Sequence, residues 1–108
     1  MQLLASYKPD VSSAANGLLE IPAPEGTLTS FYLCIGADTT GQCIFNVSKN
    51  GTDLFSGNDR IIIASGGADG ESAPLSVPCI MGDLLSLNLT TLSGTITGPI
   101  LLYADYDE

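Results

Sequence analysis

The dipeptide Asn50-Gly51, set between two apolar runs, constrains the fold of this chain more than any other feature. Asn-Gly is the preferred pair for a two-residue type I′ turn, because both central residues of that turn take a positive φ. Ahead of the turn, successive residues from Ile44 to Lys49 fall alternately on two faces, which is the period of a strand. The stretch from Cys43 to Phe55 therefore predicts a β-hairpin, and the other strands are expected to add around it.

Short apolar runs punctuated by Gly, Pro, Asn and Asp continue along the rest of the chain. Their spacing predicts an all-β fold, an antiparallel β-sandwich or jelly-roll-like domain of about eight short strands. Pro78 marks residues 75–80 as an edge strand, because proline donates no ladder hydrogen bond. The Gly-rich stretch 65–74 predicts a flexible loop, and the last strand is expected to end at Asp105, before a short acidic tail.

The alternation within the apolar runs predicts which side chains fill the core. Residues at every second position of a strand point to the same face. The run Arg60–Ala64 contains three consecutive isoleucines, which predict a strand buried on both faces. The predicted core residues are Phe31, Leu33, Ile35, Phe45, Val47, Phe55, Ile62, Leu85, Leu87, Leu89 and Leu101.

The first 16 residues differ from the rest because no sustained period runs through them. We therefore divide the chain into an extended N-terminal arm, residues 1–16, and a single β-sandwich domain, residues 17–108. The N-terminal residues lack the basic-then-apolar layout of a signal peptide, and no apolar run approaches the length of a membrane span. Synthesis and folding in the cytoplasm are expected.

The charge of the chain disfavours two classes of partner. Twelve acidic residues outnumber three basic ones, Lys8, Lys49 and Arg60, which gives a formal net charge of −9. Nucleic-acid binding requires clustered Lys and Arg to neutralise phosphates, and an anionic membrane surface would repel this chain. We therefore expect neither nucleic acid nor a membrane as a partner.

The residue types disfavour catalysis. The chain has no His, so the Ser-His and Cys-His pairs of nucleophilic enzymes cannot form. The sequence leaves open a pair of carboxylates for glycoside hydrolysis, but such sites usually include aromatic platforms. The chain has no Trp, three Phe and four Tyr. We therefore expect a protein that is not an enzyme.

Metal binding is disfavoured as well. Cys34, Cys43 and Cys79 form an odd set without C-x-x-C spacing, so they predict buried thiols instead of a metal site or a disulfide framework. The acidic segments 69–71 and 105–107 lack the spacing of a calcium loop and predict solvated loops. We expect no metal and no cofactor.

Two motifs, taken in order, resemble a known family. Val47–Phe55 has the sequence V-S-K-N-G-T-D-L-F, and Gly82–Leu89 has the sequence G-D-L-L-S-L-N-L, with the run Arg60–Ala64 between them. This order resembles a small β-sandwich module that recurs in virion proteins of tailed bacteriophages. Its hallmarks are V-x-K-N-G-x-x-[IL]-F and, downstream, G-D-x-[LI]-x-[VL]-x-[IL]. The resemblance covers about residues 28–105, and the three strand cysteines and the acidic surface depart from it.

The resemblance implies a structural role in a virion. Proteins of this kind are capsid decoration (cement) proteins, head fibres or tail-fibre modules, commonly homotrimers. Because the module accounts for the whole chain from Met1, without a fibre shaft, we expect a decoration protein. It would bind the major capsid protein on the outer surface of the assembled head and stabilise the head by bridging capsid subunits. The expected location is therefore the outer capsid surface.

The arm is the expected capsid contact, because an extended arm can add a strand to an exposed sheet edge and place apolar side chains in pockets. The contact residues would be Leu3, Leu4, Tyr7 and Val11. One alternative is a receptor- or glycan-binding module of a phage head or tail fibre, which predicts aromatic residues clustered in loops. Another is a structural module of a larger assembly, which predicts a stable monomer without affinity for capsids.

Overall fold

Two antiparallel sheets form the computed structural model, which describes residues 2–7, 15–35, 42–64, 67–92 and 99–107. The described strands are β1 (Gln2–Tyr7), β2 (Ala15–Pro22), β3 (Gly26–Ile35), β4 (Cys43–Lys49), β5 (Thr52–Asp53), β6 (Ile61–Ile63), β7 (Asp69–Glu71), β8 (Val77–Cys79), β9 (Leu84–Leu92) and β10 (Ile100–Asp107). A short 3-10 helix, Gly57–Asp59, lies between β5 and β6. The predicted all-β sandwich is confirmed, with ten described strands where about eight were expected.

The strand order shows how the two sheets meet. Sheet one has the order β1-β10-β3-β7, with β8 pairing farther along β3. Sheet two has the order β2-β9-β4-β5, with β6 also pairing with β4. Strands β1 and β2 contact each other on one side of the sandwich, and β6 and β7 do so on the other. Pro78 lies in β8 at the edge of sheet one, as predicted.

Gly70 allows β7 to approach β6 closely. A Cβ atom at this position would lie 2.6 Å from the backbone oxygen of Ile62, which is closer than real Cβ contacts come. Because that oxygen belongs to the backbone, no side-chain rotation would relieve the overlap. Glycine at this position therefore lets the two sheets close on this side.

The core lies between the inner faces of the sheets, where residues on neighbouring strands form rows. In sheet one, Leu33 of β3 lies opposite Leu102 of β10. In sheet two, Val47 of β4 lies opposite Leu87 of β9. Nine of the predicted core residues are buried here, namely Phe31, Leu33, Ile35, Phe45, Val47, Phe55, Leu85, Leu87 and Leu89.

Two predicted core residues, Ile62 and Leu101, lie on the outer faces instead. Each is half-buried, whereas its neighbours on both sides in the chain are buried. Both belong to uninterrupted apolar runs, so the sequence there has no alternation that would identify the inward face. The prediction that residues 60–64 are buried on both faces is wrong for the same reason.

Part of the predicted N-terminal arm belongs to sheet one. Residues 2–7 form β1, which pairs antiparallel with β10. Leu4 packs against the chain's own core, whereas the side chain of Leu3 is 47% exposed. Tyr7 is the last residue of β1, and Val11 lies outside the described residues.

The stretch predicted as a Gly-rich loop also contributes to sheet one. Its described part, residues 67–74, runs beside β3 and includes β7. The backbone N–H of Ser72 donates to the carbonyl oxygen of Phe31 over 2.9 Å. The acidic residues Asp69 and Glu71 are therefore strand residues instead of loop residues, and β10 continues two residues beyond its expected end. These strands depend on pairing with β3, which a local sequence pattern does not contain.

Candidate functional site

The hairpin has the predicted turn. Asn50 has a φ of 51° and Gly51 a φ of 88°, as both central residues of a type I′ turn require. Lys49 of β4 lies opposite Thr52 of β5, so two residues join the strands. The predicted hairpin is confirmed, and its turn lies at one end of the sandwich beside the connection from β8 to β9.

The Asn50 side chain binds that connection. Its Nδ2 donates to Oδ1 of Asp83 over 2.9 Å, and its Oδ1 accepts from the backbone N–H of Leu84 over 2.9 Å. The backbone N–H of Asn50 also donates to the carbonyl oxygen of Leu84 over 2.9 Å. These bonds join the hairpin motif to the Gly-Asp motif, the two motifs that carry the family resemblance.

Asp83 lies at the centre of this arrangement. Its Oδ2 accepts from the backbone N–H of Ile80 over 2.9 Å and lies 3.6 Å from Nζ of Lys49. The hydrogen bonds from Ile80 and Asn50, together with the nearby ammonium group, lower the pKa of Asp83 because each favours the carboxylate. Lys49 also donates to the carbonyl oxygen of Pro78 over 2.7 Å. We call Lys49, Asn50 and Asp83 the clamp.

The clamp holds three apolar side chains at the surface. Ile80 is 70% exposed, Met81 is 82% exposed and Leu84 is 50% exposed. Scattered single exposures are ordinary, but neighbouring apolar side chains at the surface are typical of a protein contact site. We call these three residues the apolar tip.

A polar groove of about 540 Å³ crosses the outer face of sheet two and adjoins the tip at Leu84. Its floor includes a row of directly opposed residues on four neighbouring strands: Glu20 of β2, Ser86 of β9, Ser48 of β4 and Asp53 of β5. The row therefore has one carboxylate at each end and two hydroxyl groups between them. Among the described residues that line the groove, none has an aromatic side chain.

A chain of hydrogen bonds fixes the groove floor. The backbone N–H of Gly17 donates to Oδ1 of Asn88 over 2.8 Å, and Nδ2 of Asn88 donates to Oγ of Ser48 over 2.7 Å. Oγ of Ser48 in turn donates to Oδ1 of Asp53 over 2.7 Å. Asn88 and Ser48 are buried, so these bonds satisfy polar groups that water does not reach freely. The chain links all four strands and ends on a carboxylate.

The outer face of sheet one has a different composition. Tyr32 of β3 lies opposite Tyr103 of β10, with ring centroids 6.0 Å apart. Beside them, Cys34 lies opposite Leu101. All four residues are half-buried, and the exposed Leu3 of β1 lies opposite Tyr103. We call these five residues the aromatic face.

A carboxylate positions Tyr32 on the aromatic face. The Tyr32 hydroxyl donates to Oδ2 of Asp69 over 2.6 Å. This bond, followed by the interaction with Cys34, raises the pKa of Tyr32 above its usual range because both favour the neutral phenol. The ring therefore keeps its proton, and β7 helps to hold it in place.

The described residues offer little for metal or thiol chemistry. Among them, no three Asp, Glu, Cys or His side chains are grouped so that they could hold a metal ion. Cys43 and Cys79 are buried thiols, and Cys34 is half-buried. Burial raises the pKa of the Cys79 thiol, which disfavours the reactive thiolate.

Of the predicted capsid-contact residues, only Leu3 and Leu4 have side chains among the described residues, and these two have different surroundings. Leu3 belongs to the aromatic face, and Leu4 packs against the core. The sequence identified the turn at Asn50 but not the clamp, the groove or the aromatic face. The available signal was the set of polar residues at alternate positions of β4 and β9, such as Ser48 and Asn88, which share one face.

Sequence comparisons do not assign this chain to a family. No protein-family model matches it, and no curated protein matches it significantly. Among the residues that the structure describes, no helix has the length and apolar character needed to cross a membrane. The clamp, the tip, the groove and the aromatic face are therefore the basis for a functional proposal.

Proposed function

We propose that this protein is a non-enzymatic bacteriophage capsid decoration (cement) protein, which binds the outer surface of the assembled head and bridges capsid subunits. The observation that carries the proposal is the clamp. Through it, the two motifs that resemble the phage virion module meet and hold the apolar tip at the surface. A preorganised contact suits a cement protein, because a flexible one would lose binding free energy to ordering.

The aromatic face supports self-association, and we propose a homotrimer. Tyr and other large side chains are enriched at the cores of protein interfaces, whereas charged residues are depleted there. On the aromatic face, Tyr32, Tyr103 and Leu101 lie side by side on neighbouring strands, as in an interface core, and the exposed Asp69 and Glu71 of β7 border them as a polar rim. Three copies would also strengthen head binding, since linked contacts act at high effective concentration.

The N-terminal residues stay part of the proposal as a second capsid contact. Deleting residues 1–16 would remove β1 and the beginning of β2, so loss of binding would not separate contact from folding. Leu3→Ser is the sharper variant, because Leu3 is exposed and its backbone pairing with β10 would persist. Leu4 is unsuited to this test because it packs against the core.

The alternative proposal is a receptor- or glycan-binding module of a phage head or tail fibre. The polar groove supports it, since amide, hydroxyl and carboxylate groups can bond to sugar hydroxyls. Ligand sites usually add aromatic or apolar walls, however, and no aromatic residue is found among the described residues that line this groove. The tip and the aromatic face therefore favour decoration.

Head binding by the purified protein tests the proposal. Mature heads that lack the protein and unassembled capsid subunits would each be mixed with it, and bound protein would be measured after sedimentation. We expect saturable binding to heads, little binding to subunits, and a higher temperature of head disruption, because a ligand of the assembled state stabilises that state.

Two variants assign the contacts. Met81→Ser should weaken head binding by about tenfold if that side chain is buried in the contact, and Leu3→Ser should do so without changing the oligomeric state if Leu3 contacts the capsid instead of another copy. Ile62→Ser, a half-buried position on the outer face of sheet two, is the control and should bind as the unaltered chain does. Failure of the folded, unaltered protein to bind heads would contradict the decoration role.

A further inference from the structure

We propose that the polar groove binds an extended basic segment of another protein, with one Lys or Arg at each of its two end carboxylates. Glu20 and Asp53 are the proposed partners of these cations. Ser86 and Ser48 lie between them, and Leu84 borders the groove on the side of the apolar tip. The proposal does not depend on capsid binding, because the groove belongs to a single copy of the chain.

The first step of the argument is charge. The described basic side chains are engaged elsewhere: Lys49 contacts Asp83 and Pro78, and Arg60 donates to the carbonyl oxygen of Gly57 over 2.9 Å. Neither of them lines the groove. Lys8 lies outside the described residues and can face at most one of the two carboxylates, so a cation that faces the other is expected to come from another molecule.

The second step is distance. Strands β2 and β5 are separated by β9 and β4, so three inter-strand spacings, about 14 Å in total, separate their backbones. An extended chain rises about 3.3 Å per residue, so residues i and i+4 lie about 13 Å apart and point to the same side. A segment that crosses the strands with basic residues at i and i+4 would therefore reach Glu20 and Asp53 together.

The third step concerns the middle of the segment. Leu84 lies two residues before Ser86 on β9, on the same face, and half of its side chain is exposed. An apolar residue at i+2 would contact Leu84 while the two cations occupy the ends. The ligand class is thus a basic-x-apolar-x-basic polypeptide segment.

A second copy of this chain does not supply that segment. Its basic residues are Lys8, Lys49 and Arg60, and no two of them lie four positions apart. Two copies facing each other through this groove would also bring like charges together, which disfavours association. The partner is therefore a different protein.

The test is a titration of the full, isotope-labelled chain with the peptide acetyl-Lys-Ser-Leu-Ser-Lys-amide, followed by NMR. We expect saturable shifts of the Glu20, Ser48, Asp53, Ser86 and Leu84 signals. The comparison ligands are acetyl-Glu-Ser-Leu-Ser-Glu-amide, acetyl-Lys-Leu-Lys-amide, in which the cations are too close, and the neutral sugar maltotetraose. The acidic peptide should not bind, and the tripeptide should bind more weakly than the five-residue basic peptide. Binding of the sugar at the groove in place of the basic peptide would overturn the proposal.

Charge-matched variants distinguish peptide binding at the groove from the general attraction of a basic peptide to an acidic protein. Glu20→Gln with Asp53→Asn should weaken peptide binding by about three- to tenfold, the effect of two exposed ion pairs. Asparagine at position 53 keeps an oxygen that can accept from Ser48. Glu25→Gln with Glu71→Gln removes the same charge from exposed positions outside the groove and should change binding by less than about twofold.

Equal losses in the two double variants would show that net charge alone attracts the peptide, and would overturn the proposal. Shifts spread over the whole acidic surface, or no saturable shift at about 10 mM peptide, would overturn it as well. This test uses no capsids, so a negative result would not contradict the decoration role. Failure of the protein to bind heads would likewise not contradict peptide binding in the groove.

Discussion

The outer faces of the two sheets follow the same alternation along their strands, yet different kinds of side chain lie at the middle of each face. On sheet two, Asn46, Ser48 and Asn88 are each at most 8% exposed and are bonded to neighbouring strands or loops. On sheet one, the corresponding face presents Tyr32 and Tyr103, both half-buried, with rings side by side. These three polar side chains are thus more buried than the two rings.

This contrast shows that an outward strand position does not by itself indicate solvent exposure. On sheet two, the polar residues hold strands together, because a buried amide or hydroxyl without a partner would cost free energy. On sheet one, the outward residues expose rings and aliphatic groups that another protein surface could cover. The buried polar residues of sheet two therefore have a structural role, and the outward apolar residues of sheet one are the candidates for contact.

The largest expected effect is on the polar face. Asn88→Ala removes the acceptor for the Gly17 N–H and the donor to Ser48, so we expect the free energy of unfolding to fall by about 2–3 kcal/mol. Leu101→Ser, at an outward position of sheet one, should cost about 1 kcal/mol or less because that side chain is only half-buried. Urea unfolding at protein concentrations where the chain is monomeric measures both, and a larger loss for Leu101→Ser would show that this outward apolar residue stabilises the fold more than Asn88 does.

The next effect concerns the clamp, whose hydrogen bonds join the turn between β4 and β5 to the segment that carries the apolar tip. Asn50→Ala should cost about 2 kcal/mol, because alanine is strained at positive φ and the side-chain bonds to Asp83 and Leu84 are lost. Asn50→Gly keeps the backbone conformation and loses only the bonds, so it should cost about 1 kcal/mol. Equal costs for the two variants, measured by thermal unfolding, would mean that the turn conformation contributes nothing.

A third prediction concerns association through the aromatic face. Leu101→Ser should raise the dissociation constant of the proposed homotrimer by about tenfold or more, because it places a polar group in the contact. Ile62→Ser makes the matched change on the outer face of sheet two and should leave association unchanged. Analytical ultracentrifugation over a range of concentrations measures both. If the two variants raise the dissociation constant equally, association does not depend specifically on the aromatic face.

The smallest expected effect is a pH dependence at the clamp. Since folding lowers the pKa of Asp83, its carboxylate contributes stability above the ordinary carboxyl pKa of about 3.9, and this is lost as the pH falls through the folded-state pKa. The melting temperature of the unaltered chain should therefore exceed that of Asp83→Asn most at neutral pH, and the difference should shrink below about pH 4. Calorimetry from neutral to acidic pH measures it, and a constant difference would contradict a charged Asp83 in the clamp.

Local sequence signals were sufficient for the fold class and for the hairpin. Asn50-Gly51 identified the turn because the required φ values limit the residue types at both positions. Alternation identified the core wherever polar and apolar residues were interleaved, as around Leu87. It did not identify the inward face in the runs containing Ile62 and Leu101, where every neighbour is apolar.

The candidate site could not be predicted in the same way, because its bonds join distant parts of the chain. Asn50 and Asp83 lie 33 residues apart, and Gly17 and Asn88 lie 71 apart. The pairing of β7 with β3 likewise depends on a partner that no local window contains. Such contacts need the strand order, which the sequence pattern alone does not supply.

The most direct test of the central claim is whether this protein is located on virions, as the proposed decoration role requires. The protein would be labelled and intact particles imaged by electron microscopy. If the protein decorates the capsid, we expect many labels spread over the head. Label confined to the tail tip would contradict that role and favour receptor binding, and particles without label would contradict a virion role altogether.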